Sequence, residues 1–271
     1  MLDAATLFAA FKMPPDQAVA FLRSKSVVVS EGWTDLWREA HARAYTVAQS
    51  AGFDVVGDIR DATLKAVTEG QSYESFRKEI QPILQSKGWW GKAIDPETGE
   101  ITKMYPGTTQ PVAYGTPARL KLIYQQNVQT AYMAGRYRGM KAAVDTHPYW
   151  QYTAVMDSRT RPAHAAMHGR VFRYDDEAWS VAYPPCGWNC RCRAIPLSSV
   201  EVQRENIPVE SAAGRIQEVP VLDRSGEPRT LPDGRPMTVR QIKLPDMQRP
   251  FRPDPGWDYN AAAGYPEVKS S

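Results

Sequence analysis

The chain has 271 residues, enough for one large domain or two modest ones on a prior of roughly 100–200 residues per domain. At 42% hydrophobic, 10% aromatic and 23% charged it has a globular composition, which excludes wholesale disorder, and a net charge of +3 does not by itself imply nucleic-acid binding. No run approaches the roughly 18 apolar residues of a membrane span, and three cysteines within seven residues exclude a secreted disulfide framework.

The N-terminus, MLDAATLFAAFKMPPD, has an acidic third residue, no basic flank and an apolar run broken by Lys12, so it does not read as a secretory signal. Pro14-Pro15-Asp16 is expected to open a short helix, AVAFLRSK, because proline is tolerated in a first turn. Ser30 is expected to cap a second, with Trp33, Trp37, Ala40, Ala44 and Val47 at helical spacing. Phe53, Val56, Ile59 and Val67 predict a third, stopped by Gly70. Ser72 predicts the start of a fourth, with Phe76, Ile80 and Ile83 inside, Pro82 kinking it and Gly88 after it. Together they suggest a small helical bundle with its tryptophans in the core. Thr98-Gly99 reads as the turn of a short hairpin, completing an N-terminal region over 1–117.

Arg119 to Ala143 is the longest helical pattern, with Leu120, Tyr124, Val128, Ala131 and Gly135 on one face and Gly135 and Gly139 open to close approach by another backbone. Residues 149–156 alternate as a strand, 157–161 form a turn, and Pro162 starts one or two helical turns carrying His164 and His168 up to Gly169. Val171–Tyr174 reads as a returning strand, and Cys190 to Ile195 as extended. The fold class expected is α+β, with a long central helix and a compact module over 118–200. Residues 201–271 hold ten of the 22 prolines, ten Lys/Arg and eleven Asp/Glu. This composition disfavours an independent core and predicts an extended tail that wraps another subunit, with one hairpin near Pro232-Asp233-Gly234.

Charge is unevenly spread. Between Arg119 and Arg173 nine Lys/Arg face only Asp145 and Asp157. Arg136, Arg138 and Lys141 are the candidates for contact with nucleic acid or an acidic partner; the alternative is a solvated helix face with structural arginines. In DSRTR, Asp157 is expected to accept from following backbone N–H groups, and Arg159 or Arg161 to pair with Asp175 or Asp176.

The sharpest constellation is His164-x3-His168 followed by Cys186-x3-Cys190-x-Cys192. Thiolates and imidazoles within thirty residues form a donor set that zinc prefers, and His164, Cys186, Cys190 and Cys192 are the expected ligands, with His168 in reserve. Against this, the cysteines also suit small buried hydrophobes, and the spacing is not a common zinc pattern. Catalytic zinc motifs fail letter by letter. A protease needs H-E-x-x-H, whereas Ala165, Ala166 and Met167 separate the histidines; a nucleobase deaminase needs H-x-E and P-C-x-x-C, whereas Pro185-Cys186 is followed by a three-residue gap.

HPYWQYTAVMDSRTRPAHAAMHGRVFRYDDEAW and YPPCGWNCRCRAIPLS resemble the head-morphogenesis domain of the Mu F-like family of phage minor head proteins. The likeness extends upstream through PPDQAVAFLRSK, HARAYTVAQ, GWWGK and RLKLIYQQNVQTAYMAGRYRGM, and reappears in FRPDPGWDYN. The resemblance implies a non-enzymatic virion component at the portal end of the head, present in few copies and needed for infectious particles. Its implied partners are the portal protein or the major capsid protein, with packaged DNA as a further candidate and no membrane; it would pass through the host cytoplasm during assembly. Relatives often carry Cys-x-x-Cys after the Asp and a His before the later cysteine. The matching positions here are Arg161 and His164, then Gly187 and Cys190, so Cys186 and Cys192 are the candidate replacements. The alternative in a different class is a zinc-dependent hydrolase or deaminase acting on nucleic acid.

Overall fold

A computed structural model describes residues 15–49, 52–105 and 108–263. The N-terminal segment read above for a secretory signal lies almost wholly outside them. The fold is α+β. Among the described residues no helix is long and apolar enough to cross a membrane. Two compact units separate: one from the described residues up to Asp35 together with Arg43–Tyr132, the other from Leu36–Ala42 and the described residues from Met133 on.

In the first unit, helix α1 (Pro15–Ser24) is followed by β1 (Ser26–Val27), the short α2 (Glu39–Arg43, which runs over the boundary between the units), and β2 (Ala44–Tyr45). Of the helix expected after Ser30, only Glu39–Arg43 is helical. Instead β1 pairs in parallel with β2, Ser26 opposite Ala44 and Val27 opposite Tyr45, and Ser30 bridges Ala48. The run Val27-Val28-Val29 and the aromatic Tyr45 favour extended chain, and a tertiary pairing overrides the helical spacing of the tryptophans. Tyr45 is buried with its hydroxyl 2.9 Å from Thr63 Oγ1.

Helix α3 (Phe53–Glu69) ends at Gly70, whose φ of 64° supplies the left-handed stop, and buries Val56, Ile59 and Val67 as expected; Phe53 is exposed. Ser72 caps α4 (Tyr73–Ser86), accepting from the Ser75 N–H at 3.2 Å. Phe76 and Ile80 point inward, but Leu84 rather than Ile83 completes the stripe. The loop after α4 turns back on itself, with Ile94 bridging Ile101 around Gly99. It closes on a Gly91–Gly115 backbone pair, where a Cβ at Gly115 would lie 2.6 Å from the Trp89 carbonyl.

Helix α5 (Pro117–Ala142) buries Leu120, Tyr124, Val128, Ala131 and Gly135. Gly139, in contrast, is exposed and has open space around it, so it accommodates no neighbouring backbone.

The second unit is built on a four-stranded sheet in the order β5 (Arg193–Leu197), β3 (Tyr149–Thr153), β4 (Val171–Arg173), β6 (Val209–Glu210). Strand β3 is antiparallel to both neighbours, with Trp150 opposite Phe172 and Pro196 and Tyr152 opposite Ala194. It stops at Thr153, three residues before the alternation ends, and Val155 and Met156 are exposed. Because strand side chains alternate, Trp150 and Tyr152 enter the same face. Trp150 meets Tyr137 and Trp179 at ring separations of 5.6 Å each, the latter from helix α7 (Ala178–Ala182). Helix α8 (Ser199–Arg204) follows β5, closed by a Ser198–Glu201 capping box.

The expectation of an extended tail is corrected. Strands β7 (Ile216–Pro220) and β8 (Thr238–Ile242) form an antiparallel hairpin whose β8 packs against α7, and Met237, Val239, Ile242, Leu244 and Phe251 are buried. The turn at 232–234 is present inside the long loop of that hairpin. Residues 201–263 thus share the core of the module, and Arg170 fastens them by pairing with Glu210 and Asp246, each at 2.6 Å.

Candidate metal centre

Helix α6 (Pro162–Met167) starts on a proline whose fixed φ suits a first turn, and it points His164 inward. Asn189, at φ 55°, turns the chain into the stretch that carries Cys190 and Cys192 ahead of β5. Two residues apart, these cysteines reach the same side as His164. His164 Nδ1 is 3.4 Å from Cys192 Sγ and 3.8 Å from Cys190 Sγ, and the ligand atoms of all three lie within 4.8 Å of one another. Tyr152 Oη stands 3.4 Å from the same nitrogen. His164, Cys190 and Cys192 are 2%, 2% and 4% exposed.

The other expected ligands stand apart from this group. His168 caps α6 and its Nδ1 accepts from the Ala154 N–H at 3.2 Å. Cys186 donates its S–H to the Ala182 carbonyl at 3.3 Å and adjoins the cluster through Tyr152. The hydrogen bond from Cys192, with that to His164, holds the Cys190 thiol well below its usual range in spite of burial. That same bond, then burial, pushes Cys192 up; burial pushes Cys186 and Tyr152 well up, and the Cys190 charge adds to the rise of both. A metal ligand must be deprotonated, and the Cys190–Cys192 pair shares the hydrogen bond that favours one thiolate.

The donors fit zinc. Metal–ligand bonds of about 2.0–2.3 Å in a tetrahedron give ligand–ligand edges of about 3.3–3.8 Å, the range of both His–Cys separations. One feature differs from common zinc sites: His164 Nε2 is buried with no hydrogen-bond partner among the described residues, so packing against Phe251 at 5.6 Å orients the ring. No carboxylate belongs to the group among the described residues.

The acidic residues nearby have other work. Arg191 grips Asp157 with both Nη atoms, at 2.6 and 2.7 Å, and the Arg159 N–H donates to it at 3.0 Å. Arg161 pairs with Asp254 and Arg173 with Asp175, while Asp176 accepts from Ala178, Ser211 and Ala212. The pairing of Arg159 or Arg161 with Asp175 or Asp176 is therefore replaced by partners close in space. On α5, Arg136 donates to the Ala194 carbonyl at 2.8 Å and Lys141 lies over the Tyr174 ring at 4.5 Å.

The Arg191 fork, with backbone support, holds the Asp157 carboxyl well below the usual carboxylate range. A depressed folded-state value stabilises the protein above the unfolded pKa, about 3.9, and that contribution is lost as the pH falls toward the folded value. The gap in melting temperature between wild type and Asp157→Asn should be largest near neutral pH and shrink below about pH 4. A gap that ignores pH would assign the effect to packing.

Tyr152, Phe251 and Asp254 are the site residues that spacing did not reveal. Only the alternation of β3 and the motif FRPDPGWDYN carried a signal for them.

The family described as Phage Mu protein F like protein matches residues 57–195. The capsid assembly protein F of Escherichia phage Mu is 39% identical over 251 residues, which is 93% of this chain and 55% of that protein. The Mu-like prophage FluMu F protein of Haemophilus influenzae is 38% identical over 240 residues, 87% of this chain and 53% of the relative. The chain therefore spans about half the length of the curated relatives it matches. No solved structure matches it. With the family's segment covering α3 through most of β5, and the likeness to both relatives running well beyond it, the chain belongs to the Phage Mu protein F like family.

Proposed function

We propose that the chain is a structural head-assembly protein of a tailed phage, acting at the portal end of the head through the portal or major capsid protein. The observation that carries this reading is the 39% identity over 93% of the chain to a protein named for capsid assembly. The cysteine cluster is buried, which suits a structural role in this reading. In this reading His164, Cys190 and Cys192 hold one zinc ion. Zinc so bound supplies a crosslink for a segment with few large aliphatic side chains. Contact with DNA through α5 gains no support, since Arg136 and Lys141 are engaged inside their own unit.

Mass spectrometry of purified phage particles should find the chain among the head proteins, and its deletion should leave heads that do not become infectious. Fully infectious particles without it would overturn the proposal. For the metal, elemental analysis should give about one zinc per chain, and a chelator should lower the melting temperature. Zinc below about a tenth of an equivalent, with melting unchanged in chelator, would leave a hydrogen-bonded thiol cluster instead.

A further inference from the structure

The segment 251–258 supplies no ligand, yet its side chains grip both loops that do. Phe251 is tied to β8 by two backbone hydrogen bonds with Ile242, at 2.8 and 2.9 Å, and is fully buried. Its ring lies 5.7 Å from Tyr152 and 5.6 Å from His164, walling one side of the thiol cluster. Three residues on, Asp254 joins the two loops. Its backbone N–H donates to the Cys186 carbonyl at 3.0 Å. Its Oδ2 accepts from the Trp188 N–H at 3.0 Å and from Arg161 Nη2 at 2.9 Å. Arg161, which N-caps α6, also donates to the Trp188 carbonyl at 2.8 Å. Trp257 then packs edge-on against Trp188 at 5.1 Å. The fit is close enough to fix a residue type: a Cβ on Gly187 would lie 2.4 Å from Asp254 Oδ2.

We infer that Asp254 is a positioning residue for the metal centre, and that docking of the strap 251–258 and metal binding are reciprocally coupled. The inference rests on the zinc reading above and goes beyond it. His164 reaches the centre from α6, and Cys190 and Cys192 reach it from the loop beginning at Cys186. Asp254 bonds to the start of α6 through Arg161 and to the cysteine loop through Cys186 and Trp188. Removing its charge weakens the tie between the loops, leaving the backbone bond to Cys186 and the Arg161 bond to Trp188; removing the metal deprives the strap of a fixed surface to dock on. By linkage, each must weaken the other by the same factor.

The test uses the full chain, with zinc and with cobalt as a spectroscopic probe of thiolate ligation. Zinc affinity is measured by chelator competition for wild type, Asp254→Asn and Trp257→Leu, with Asp233→Asn, whose side chain pairs with Arg235 in the hairpin loop, as control. Hydrogen exchange of peptides covering 251–258 is followed with and without metal. Asp254→Asn should weaken zinc about 10–100-fold, as loss of an outer partner of a metal site does, and alter the cobalt–thiolate bands. Zinc should slow exchange in 251–258 beyond any uniform change across the chain. If Asp254→Asn fails to fold, Trp257→Leu must show the same direction in both readouts. A wild-type chain that binds neither metal overturns the zinc reading and this inference with it. Zinc binding unchanged in both strap variants, or metal protection spread evenly over the chain, overturns the inference alone.

Discussion

Asp258→Ala should lower the unfolding free energy by about 3–5 kcal/mol, the range for stranding buried charges. The Asp258 side chain is inaccessible to solvent and meets Arg38 at 3.0 Å through Nη2 and 3.2 Å through Nε. Its other oxygen-side donor is the Arg240 backbone N–H at 2.8 Å, while the Arg240 guanidinium bonds to the Asp258 carbonyl. Alanine leaves two arginine side chains, 18% and 25% exposed, around an uncharged hole. Arg38 keeps Glu218 at 2.8 Å, so it retains one counter-charge and the loss falls toward the lower end. Asp258→Asn preserves the shape and one acceptor and should cost less. Denaturant titration of the full chain reads both; a loss below about 1 kcal/mol for alanine would mean that the arginines find other partners without cost.

Trp150→Ala should be comparably severe, at about 3–5 kcal/mol. The indole is fully buried on β3, set against Tyr137 and Trp179 and within 6.3 Å of Tyr183. Its removal leaves a cavity lined by rigid rings that cannot collapse into it. Trp150→Phe should cost less than half as much, for two reasons. The ring contacts largely persist, and the indole N–H it removes has no acceptor among the described residues. Thermal melts with near-ultraviolet circular dichroism distinguish the two variants, since only alanine should abolish the aromatic signal of the cluster.

What could be read from the letters divides along sequence distance. Helices α3 and α4 were legible because their signals are local: Gly70 at a left-handed φ, Ser72 accepting from Ser75, and apolar residues at helical spacing. The stretch 30–47 misled because the spacing of Trp33, Trp37 and Ala44 is helical, while the pairing of Val27 with Tyr45 depends on a partner eighteen residues away. Residues 201–271 were read from their composition as a tail without a core of its own. That 201–263 join one, through Val239, Ile242 and Phe251, could not follow from composition. At the site, His164, Cys190 and Cys192 announced themselves by chemistry and spacing. Cys186 and His168 met the same criterion, yet a carbonyl and a backbone amide occupy them. Asp254 and Phe251 lie about sixty residues beyond the last cysteine and carry no ligand chemistry, so pattern alone gave them no role.

The late position of the strap sets the order of events on the ribosome. At about 5–20 residues per second, the stretch from Cys192 to Asp254 takes several seconds to synthesise. For that interval the nascent cysteine loop lacks the wall of Phe251 and the bond to Asp254. Without that cover the thiols are less shielded from oxidation or from capture by a metal ion. Completion of this unit therefore waits on the emergence of residues 251–258 rather than on the synthesis of the site itself.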